Sequence, residues 1–228
     1  MKPALLKELN TARANKERIC LARNLATHES QLIRLGDHKL ADALHEAVAE
    51  AHRQDRSKAV EIDGTRWFLQ IFNPPLRLVV VGAVHISQAL APMAKAAGYD
   101  VTIIDPRRAF ASAARFPDIK LIDDWPDDAM AALAPDRRTA VVTLTHDPKI
   151  DDPALDEALK TDAFYIAALG SRRTHASRVQ RLSEAGHSTD AIARIHGPAG
   201  LDINAITPAE IAVSVMAEMT QALRRKIT

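Results

Sequence analysis

Leu76-Arg-Leu-Val-Val-Val-Gly-Ala-Val-His85, followed about twenty residues on by Val101-Thr-Ile-Ile-Asp-Pro-Arg-Arg108, is the stretch that decides the fold class. An apolar run that closes on a glycine reads as a buried strand entering a tight turn. A helix fits between the two runs, and the second run ends in an acid. A dinucleotide-binding βαβ unit begins this way. The glycine pattern departs from G-x-G-x-x-G at its second and third positions, where Val84 and Ser87 stand. The second glycine of that pattern lets backbone amides approach a pyrophosphate, and a valine Cβ there holds such a ligand off. The residues therefore support the fold better than they support the usual cofactor.

Alternation continues outward from this unit. Strand 76–83 leads to helix 86–97, closed by Gly98, and strand 101–105 follows. A weak strand at 119–122 precedes a helix starting at Trp125-Pro126-Asp127-Asp128. Strand 139–145 is β-branched and nearly continuous. Asp152-Pro153 is expected to open helix 153–161. Strand 163–169 then runs into Gly170-Ser171-Arg172-Arg173 and another helix. Thr207-Pro208-Ala209-Glu210 reads as a capping box ahead of helix 208–225, whose basic end suits the helix dipole. The βαβα order predicts an α/β fold, a Rossmann-like parallel sheet with helices on both faces.

Upstream, the expectation is a smaller helical and hairpin region over residues 1–75. Leu5, Leu6, Leu9, Ala12, Ile19 and Leu25 recur at helical spacing and predict a helix over 3–26. Leu40, Ala43, Leu44, Ala47 and Val48 predict a second over 38–54. Residues 59–72 read as a hairpin around Asp63-Gly64. Asn73-Pro74-Pro75 then breaks the chain and sets the expected boundary between domains 1–75 and 76–228.

Composition excludes several classes. Among 228 residues, 30 are basic and 29 acidic, a formal charge of +1, which gives no nucleic-acid footprint. No apolar run approaches the roughly 18–20 residues of a membrane span. Met1-Lys-Pro-Ala-Leu-Leu-Lys-Glu8 lacks a signal-peptide apolar region, so a cytoplasmic location is expected. A single cysteine, Cys20, excludes an internal disulfide and any cysteine-based metal cluster. It falls in the first predicted helix, where an inert buried thiol is the default and a sulfur-handling role requires exposure and a lowered pKa.

In a doubly wound sheet, ligands sit beyond the carboxyl ends of the strands, so the polar residues there are the candidates. Gly82 to His85 either rests a phosphate or pterin ring near a helix N-terminus or is a tight turn that binds nothing. His85 either meets a ligand or caps the helix. At the second strand end, Asp105 suits a ribose hydroxyl and Arg107 a phosphate. The alternative is a surface turn capped by Asp105. Thr145, His146 and Asp147 emerge together and suit ligand orientation, proton shuttling or metal binding, though one His and one Asp are too few for a structural zinc site. The alternative is an N-cap network. Gly170, Ser171, Arg172 and Arg173 make an anion cradle at a helix N-terminus. Surface ion pairs are the competing reading there. His196-Gly-Pro-Ala-Gly-Leu-Asp202 is either a ligand-facing loop or a connector.

Six motifs in this order carry a resemblance: Val81-Gly-Ala-Val-His85, Asp105-Pro-Arg107, Thr145-His-Asp147, Leu169-Gly-Ser-Arg-Arg-Thr174, His196-Gly-Pro-Ala-Gly-Leu-Asp-Ile203 and Thr207-Pro-Ala-Glu-Ile211. Over about residues 76–222 the chain closely resembles the XdhC/CoxI family, the xanthine dehydrogenase accessory proteins. The resemblance implies a Rossmann-fold maturation factor that is not an enzyme. Such a protein binds the molybdenum cofactor (molybdopterin) as cargo and holds it while a cysteine desulfurase installs the sulfido ligand. It then delivers the cofactor to an apo molybdenum hydroxylase such as xanthine or carbon monoxide dehydrogenase. It also implies a homodimer. The strand-end residues suit such a cargo, with anion cradles at 82–85 and 171–174 for phosphate and His146, Asp147 and Asp105 for the pterin edge, so the expected cofactor-binding set is Gly82, Val84, His85, Asp105, Arg107, Thr145, His146, Asp147, Gly170, Ser171, Arg172 and Arg173. Two departures stand out. Val84 replaces the second glycine of the family's G-x-G-H turn, and residues 1–75 carry neither a G-S-S-P-R-type segment nor a G-G-C-V-E-type cysteine motif. No family cysteine role passes to Cys20.

The competing readings are an NAD(P)-dependent oxidoreductase and a scaffold with an empty Rossmann domain. Val84 counts against the first, as does the absence of a Tyr-x-x-x-Lys couple, since Leu169 stands four residues after Tyr165.

Overall fold

A computed structural model of the chain describes residues 2–34 and 42–224. It divides into two compact units, Met1–Pro74 and Pro75–Thr228.

In the first unit, helix α1 (Pro3–Ala14) precedes strands β1 (Ile19–Asn24) and β2 (Ser30–Arg34). Helix α2 (Asp42–Gln54) and strands β3 (Lys58–Ile62) and β4 (Thr65–Phe72) complete it. The strands form an antiparallel sheet in the order β2-β1-β4-β3. Side chains alternate across a strand, so neighbours serve opposite faces. Cys20, Ile33 and Leu69 pack with Leu44 and Val48 of α2, while Ile19, Leu32 and Phe72 pack with Leu9 and Ala12 of α1. The two helices thus cover opposite faces of this sheet.

The expected helix over 3–26 is corrected here. It ends at Ala14, Lys16 adopts a left-handed φ of 57°, and Ile19–Asn24 forms a central strand paired on both edges. Its partner register, Ile19 with Phe72 and Asn24 with Trp67, joins residues far apart in sequence, and that pairing overrides the local helical period. Cys20 therefore lies in a strand. The hairpin around Asp63-Gly64 is present as β3 and β4. Of the helix expected over 38–54, residues 38–41 lie outside the described residues, as do residues 225–228 at the basic chain end.

In the second unit the chain runs through β5 (Leu76–Val81), α3 (His85–Ala96), β6 (Tyr99–Ile104), β7 (Lys120–Ile122), α4 (Pro126–Leu133) and β8 (Thr139–Thr143). It continues through α5 (Pro148–Leu159), β9 (Tyr165–Ala168), α6 (Arg172–Glu184), α7 (Thr189–Ile192), β10 (Ile195–His196) and α8 (Pro208–Arg224). All six strands are parallel, in the order β10-β9-β8-β5-β6-β7. This is the doubly wound Rossmann order, with its switch point between β5 and β8. Leu78 and Val80 face α3 and α8, packing with Leu90, Ala94, Val215 and Met219. Val79 and Val81 face the other way, onto Met130, Leu155 and Leu182 of α4, α5 and α6. The continuous apolar run of β5 is the consequence of cover on both sides.

Helix α5 corrects a second expectation. It starts at Pro148, with Asp147 as the N-cap accepting the Lys149 amide, and Pro153 lies inside it. Pro153, the sixth residue of the helix, lacks the amide that would bond the Lys149 carbonyl, and the helix runs on through it, beginning a turn earlier than Asp152-Pro153 suggested. The capping box of α8 is formed: Glu210 accepts the amides of Thr207 and Ile206, and Thr207 accepts that of Glu210.

Candidate functional site

The turns that leave the carboxyl ends of β6, β5 and β8 touch one another in that order across the sheet. The Asp105 carboxylate, fully buried after β6, accepts the Ala83 amide at 2.8 Å from the turn after β5. That turn in turn lies against the one after β8. Gly82 has a φ of +112°, and a Cβ built on it would stand 2.6 Å from Thr145 Cγ2. Only glycine allows both the dihedral and the approach.

Hydrogen bonds close the first turn. Gly82 donates to Ile104 at 2.8 Å, Ala83 to Asp105, and Val84 to Ser87 Oγ at 3.4 Å. Ser87 Oγ itself donates to the Gly82 carbonyl, and Arg115 holds the Ala83 carbonyl at 2.8 Å. The amides that would meet a pyrophosphate in the dinucleotide pattern are thus occupied. His85, in contrast, is exposed at the start of α3.

Asp105 and Arg107 are likewise committed to each other. Arg107 donates from its amide at 3.0 Å and from Nε and Nη2 at 2.8 Å, and its guanidinium stacks 4.6 Å over the Phe110 ring. Burial pushes the Asp105 carboxyl up, but the bonds from Arg107 and the two amides outweigh it and hold the group below its ordinary range.

The turn after β8 is organised by a residue that sequence reading missed, Asp151 on the first turn of α5. One of its oxygens accepts Thr145 Oγ1 at 2.7 Å and the Thr145 amide at 3.3 Å, and the other accepts the His146 amide at 3.1 Å. Its carboxyl is pushed up by burial despite these bonds. His146 is held in the left-handed region (φ 62°) with an exposed side chain. A non-glycine residue there is uncommon, and such conformations gather at sites where surrounding contacts enforce them. Asp147 caps α5, so Thr145 and Asp147 orient the turn while His146 is presented outward.

After β9, Ser171 caps α6, its hydroxyl accepting the Thr174 amide at 3.1 Å. The Arg172 and Arg173 amides stand at the head of this helix, where no intrahelical acceptor exists. Their side chains are exposed and make no hydrogen bond or ion pair among the described residues. Gly170 has a φ of +142° and faces Thr174 so closely that a Cβ would lie 3.0 Å from it. The loop of residues 196–200 lies against α6: a Cβ on Gly197 would overlap His175 Nδ1 at 2.1 Å.

A second organiser the sequence did not announce is Glu218 on α8. It accepts Tyr165 Oη at 2.6 Å and the Gly200 amide at 2.8 Å, and bonds His196 Nδ1 at 3.0 Å. Burial raises this carboxyl, but those bonds together leave it below its usual range; burial and the bond to Glu218 push the Tyr165 phenol up. The signal for both acids was present. Asp151 shares a helical stripe with Ala154, Leu155 and Ala158, and Glu218 lies beside Val215 and Met219, so each is a carboxylate on an apolar face.

The twelve candidate residues thus fall into two groups. Gly82, Val84, Asp105, Arg107, Thr145, Asp147, Gly170 and Ser171 shape the turns, and His85, His146, Arg172 and Arg173 are the exposed side chains those turns present. His146 and Arg173 line one cavity of about 240 Å³ between α5 and α6.

A family model described as the XdhC Rossmann domain matches residues 78–219. The Escherichia coli molybdenum cofactor insertion chaperone PaoD is 36% identical over 148 residues, 65% of this chain and 40% of that protein. A Bacillus subtilis protein named as a probable xanthine dehydrogenase subunit is 32% identical over 162 residues, 71% of this chain and 47% of that protein. The uncharacterized protein YqeB of Escherichia coli is 32% identical over 154 residues, 68% of this chain and 28% of its own length. The chain therefore spans less than half the length of each of these relatives. A crystal structure described as a xanthine dehydrogenase from Bacillus halodurans has the same fold, with a TM-score of 0.70 at 23% identity over 97% of this chain and 65% of that one. The chain belongs to the XdhC family, and its residues 78–219 are the Rossmann domain of that family.

Proposed function

We propose that this chain is a molybdenum-cofactor maturation factor, a binding protein and not a catalyst. In this reading it holds the cofactor while a cysteine desulfurase supplies the terminal sulfido ligand, and then passes it to an apo molybdenum hydroxylase such as xanthine or carbon monoxide dehydrogenase. We place it in the cytoplasm, acting as a homodimer. The names of the PaoD and Bacillus subtilis relatives support the cargo and the class of client enzyme.

The observation that carries the reading is the open end of the rim. Two guanidiniums without a partner among the described residues, Arg172 and Arg173, stand at the positive end of α6, and Arg173 shares a cavity with the outward His146. Such a cluster favours an anion, and the cofactor's pterin carries phosphate. The cargo supplies the molybdenum centre; the chain supplies guanidinium and amide donors for its phosphate and an imidazole for its polar edge. The Asp105–Ala83 and Asp151–Thr145 bonds keep the neighbouring turns in place for it. Cys20 lacks the exposure and lowered pKa that sulfur transfer needs, being buried with its thiol pushed up to about 12.

The dinucleotide alternative lacks this support. The Gly82, Ala83 and Val84 amides are occupied, and the Asp105 oxygens that would bind a ribose hydroxyl already accept four donors. Purification of the full chain from cells that make the cofactor, read by the fluorescence of the oxidised pterin, tests the proposal. Co-purification of pterin is expected. Micromolar NADPH binding without pterin would transfer the assignment to the oxidoreductase.

A further inference from the structure

The cavity between α5 and α6 contains a cation that the turns described above leave unexplained. Arg178 is only 2% exposed and lines this cavity with Arg173, Arg181, Ser177, His146 and Asp151. Its Nη2 donates to the Leu169 carbonyl at 2.9 Å. Its Nε and Nη1, both buried, have no hydrogen-bond partner among the described residues. Burial disfavours the charged guanidinium, yet arginine keeps its proton in proteins; the Asp151 and Asp152 charges offset part of that cost through space without bonding it.

The carboxylates nearby are committed elsewhere. Asp151 turns its oxygens to Thr145 and His146. Asp152 binds Arg181 through both oxygens, at 2.5 and 3.0 Å. Three guanidiniums therefore face two acids whose oxygens are already engaged, and the surplus is positive. A tetrahedral oxyanion in the cavity answers that surplus, and the low exposure of Arg178 strengthens the charge pairing. The exposed Arg173 guanidinium at the head of α6 adds donors on the same side, and Ser177 lines the mouth beside it.

We propose that this cavity is a phosphate subsite, with Arg178 as its buried cation and Arg173 and Ser177 at its entrance. The chemistry fits the phosphate ester of a cargo or free inorganic phosphate. The first source rests on the maturation role proposed above, and the site itself does not.

Titration of the full chain with inorganic phosphate, followed by calorimetry and by melting temperature, tests the site. The wild type is expected to bind phosphate and to melt at higher temperature in its presence. Arg173→Glu, at an exposed position, should weaken phosphate binding roughly tenfold or more while leaving the phosphate-free melting temperature unchanged. Arg178→Gln removes the buried cation and should abolish binding; the exposed variant decides the matter if that buried one fails to fold. Absence of phosphate binding to the wild type, or equal binding by Arg173→Glu, would overturn the proposal. Competition between phosphate and molybdopterin supports the site with cargo as the source, and phosphate binding without competition supports it with free phosphate. Pterin retention without phosphate binding sinks the subsite alone, and phosphate binding without pterin retention sinks the maturation role alone.

Discussion

Asp105 accepts the Ala83 amide at 2.8 Å while the same two oxygens take three donors from Arg107. The acid that ends β6 is thereby the clamp on the turn that ends β5. An acid at this place in a Rossmann sheet commonly meets a ribose; here it fixes the backbone around which the other turns are arranged.

Removing the clamp orphans a buried amide and frees Arg107. Asp105→Ala should lower the unfolding free energy by about 2–3 kcal/mol in urea denaturation at neutral pH. The pH dependence follows from the depressed carboxyl. Its contribution is complete above the ordinary value of 3.8 and is lost as the pH falls through the lower folded-state value. The stability difference between wild type and Asp105→Ala should therefore shrink on acidification below about pH 4. A difference that stays constant there would count against the clamp.

Gly82 and Thr145 provide a test of contact between the turns. Gly82→Ala meets both an unfavourable φ and the Thr145 methyl, and should cost about 2–4 kcal/mol. Thr145→Ser removes that methyl and keeps the hydroxyl on Asp151. In a double-mutant cycle it should return roughly 1 kcal/mol, leaving the backbone strain. Strict additivity would show that the turns do not press on each other.

Glu218 should be far more sensitive than the phenol it holds. Tyr165→Phe deletes one donor and leaves Glu218 satisfied by Gly200 and His196, at a cost of about 1 kcal/mol. Glu218→Ala leaves the buried Tyr165 hydroxyl and the Gly200 amide without acceptors, at roughly 2–4 kcal/mol. Thermal denaturation of the two variants side by side checks the ordering, and equal losses would contradict it.

Cys20 is buried, with its thiol raised to about 12. At pH 8 it should react with a disulfide reagent only after denaturant is added, and Cys20→Ala should retain cofactor as the wild type does. Stoichiometric labelling of the folded protein would reverse this conclusion.

The parallel sheet was legible because β5 and β8 are buried on both faces, leaving a run such as Val79-Val80-Val81 little choice of structure. The first unit was less so. Ile19-Cys-Leu-Ala22 satisfies a helical period as readily as a strand, and its pairing with Gln31–Arg34 and Leu69–Phe72 decides between them. The strand Ser30–Arg34 carries no apolar alternation strong enough to announce itself. At the rim, the turn residues were visible as motifs, whereas Asp151, Arg178 and Glu218 were not. Each sits within a helix, and its role depends on which helix face packs against the turns.

Equilibrium binding of molybdopterin to the full chain and to an Arg172→Ala/Arg173→Ala variant addresses the central claim most directly. Affinity in the wild type with a loss of about tenfold or more in the variant, at unchanged melting temperature, is the predicted result. Equal affinity in the two proteins, or no binding by either, would contradict it.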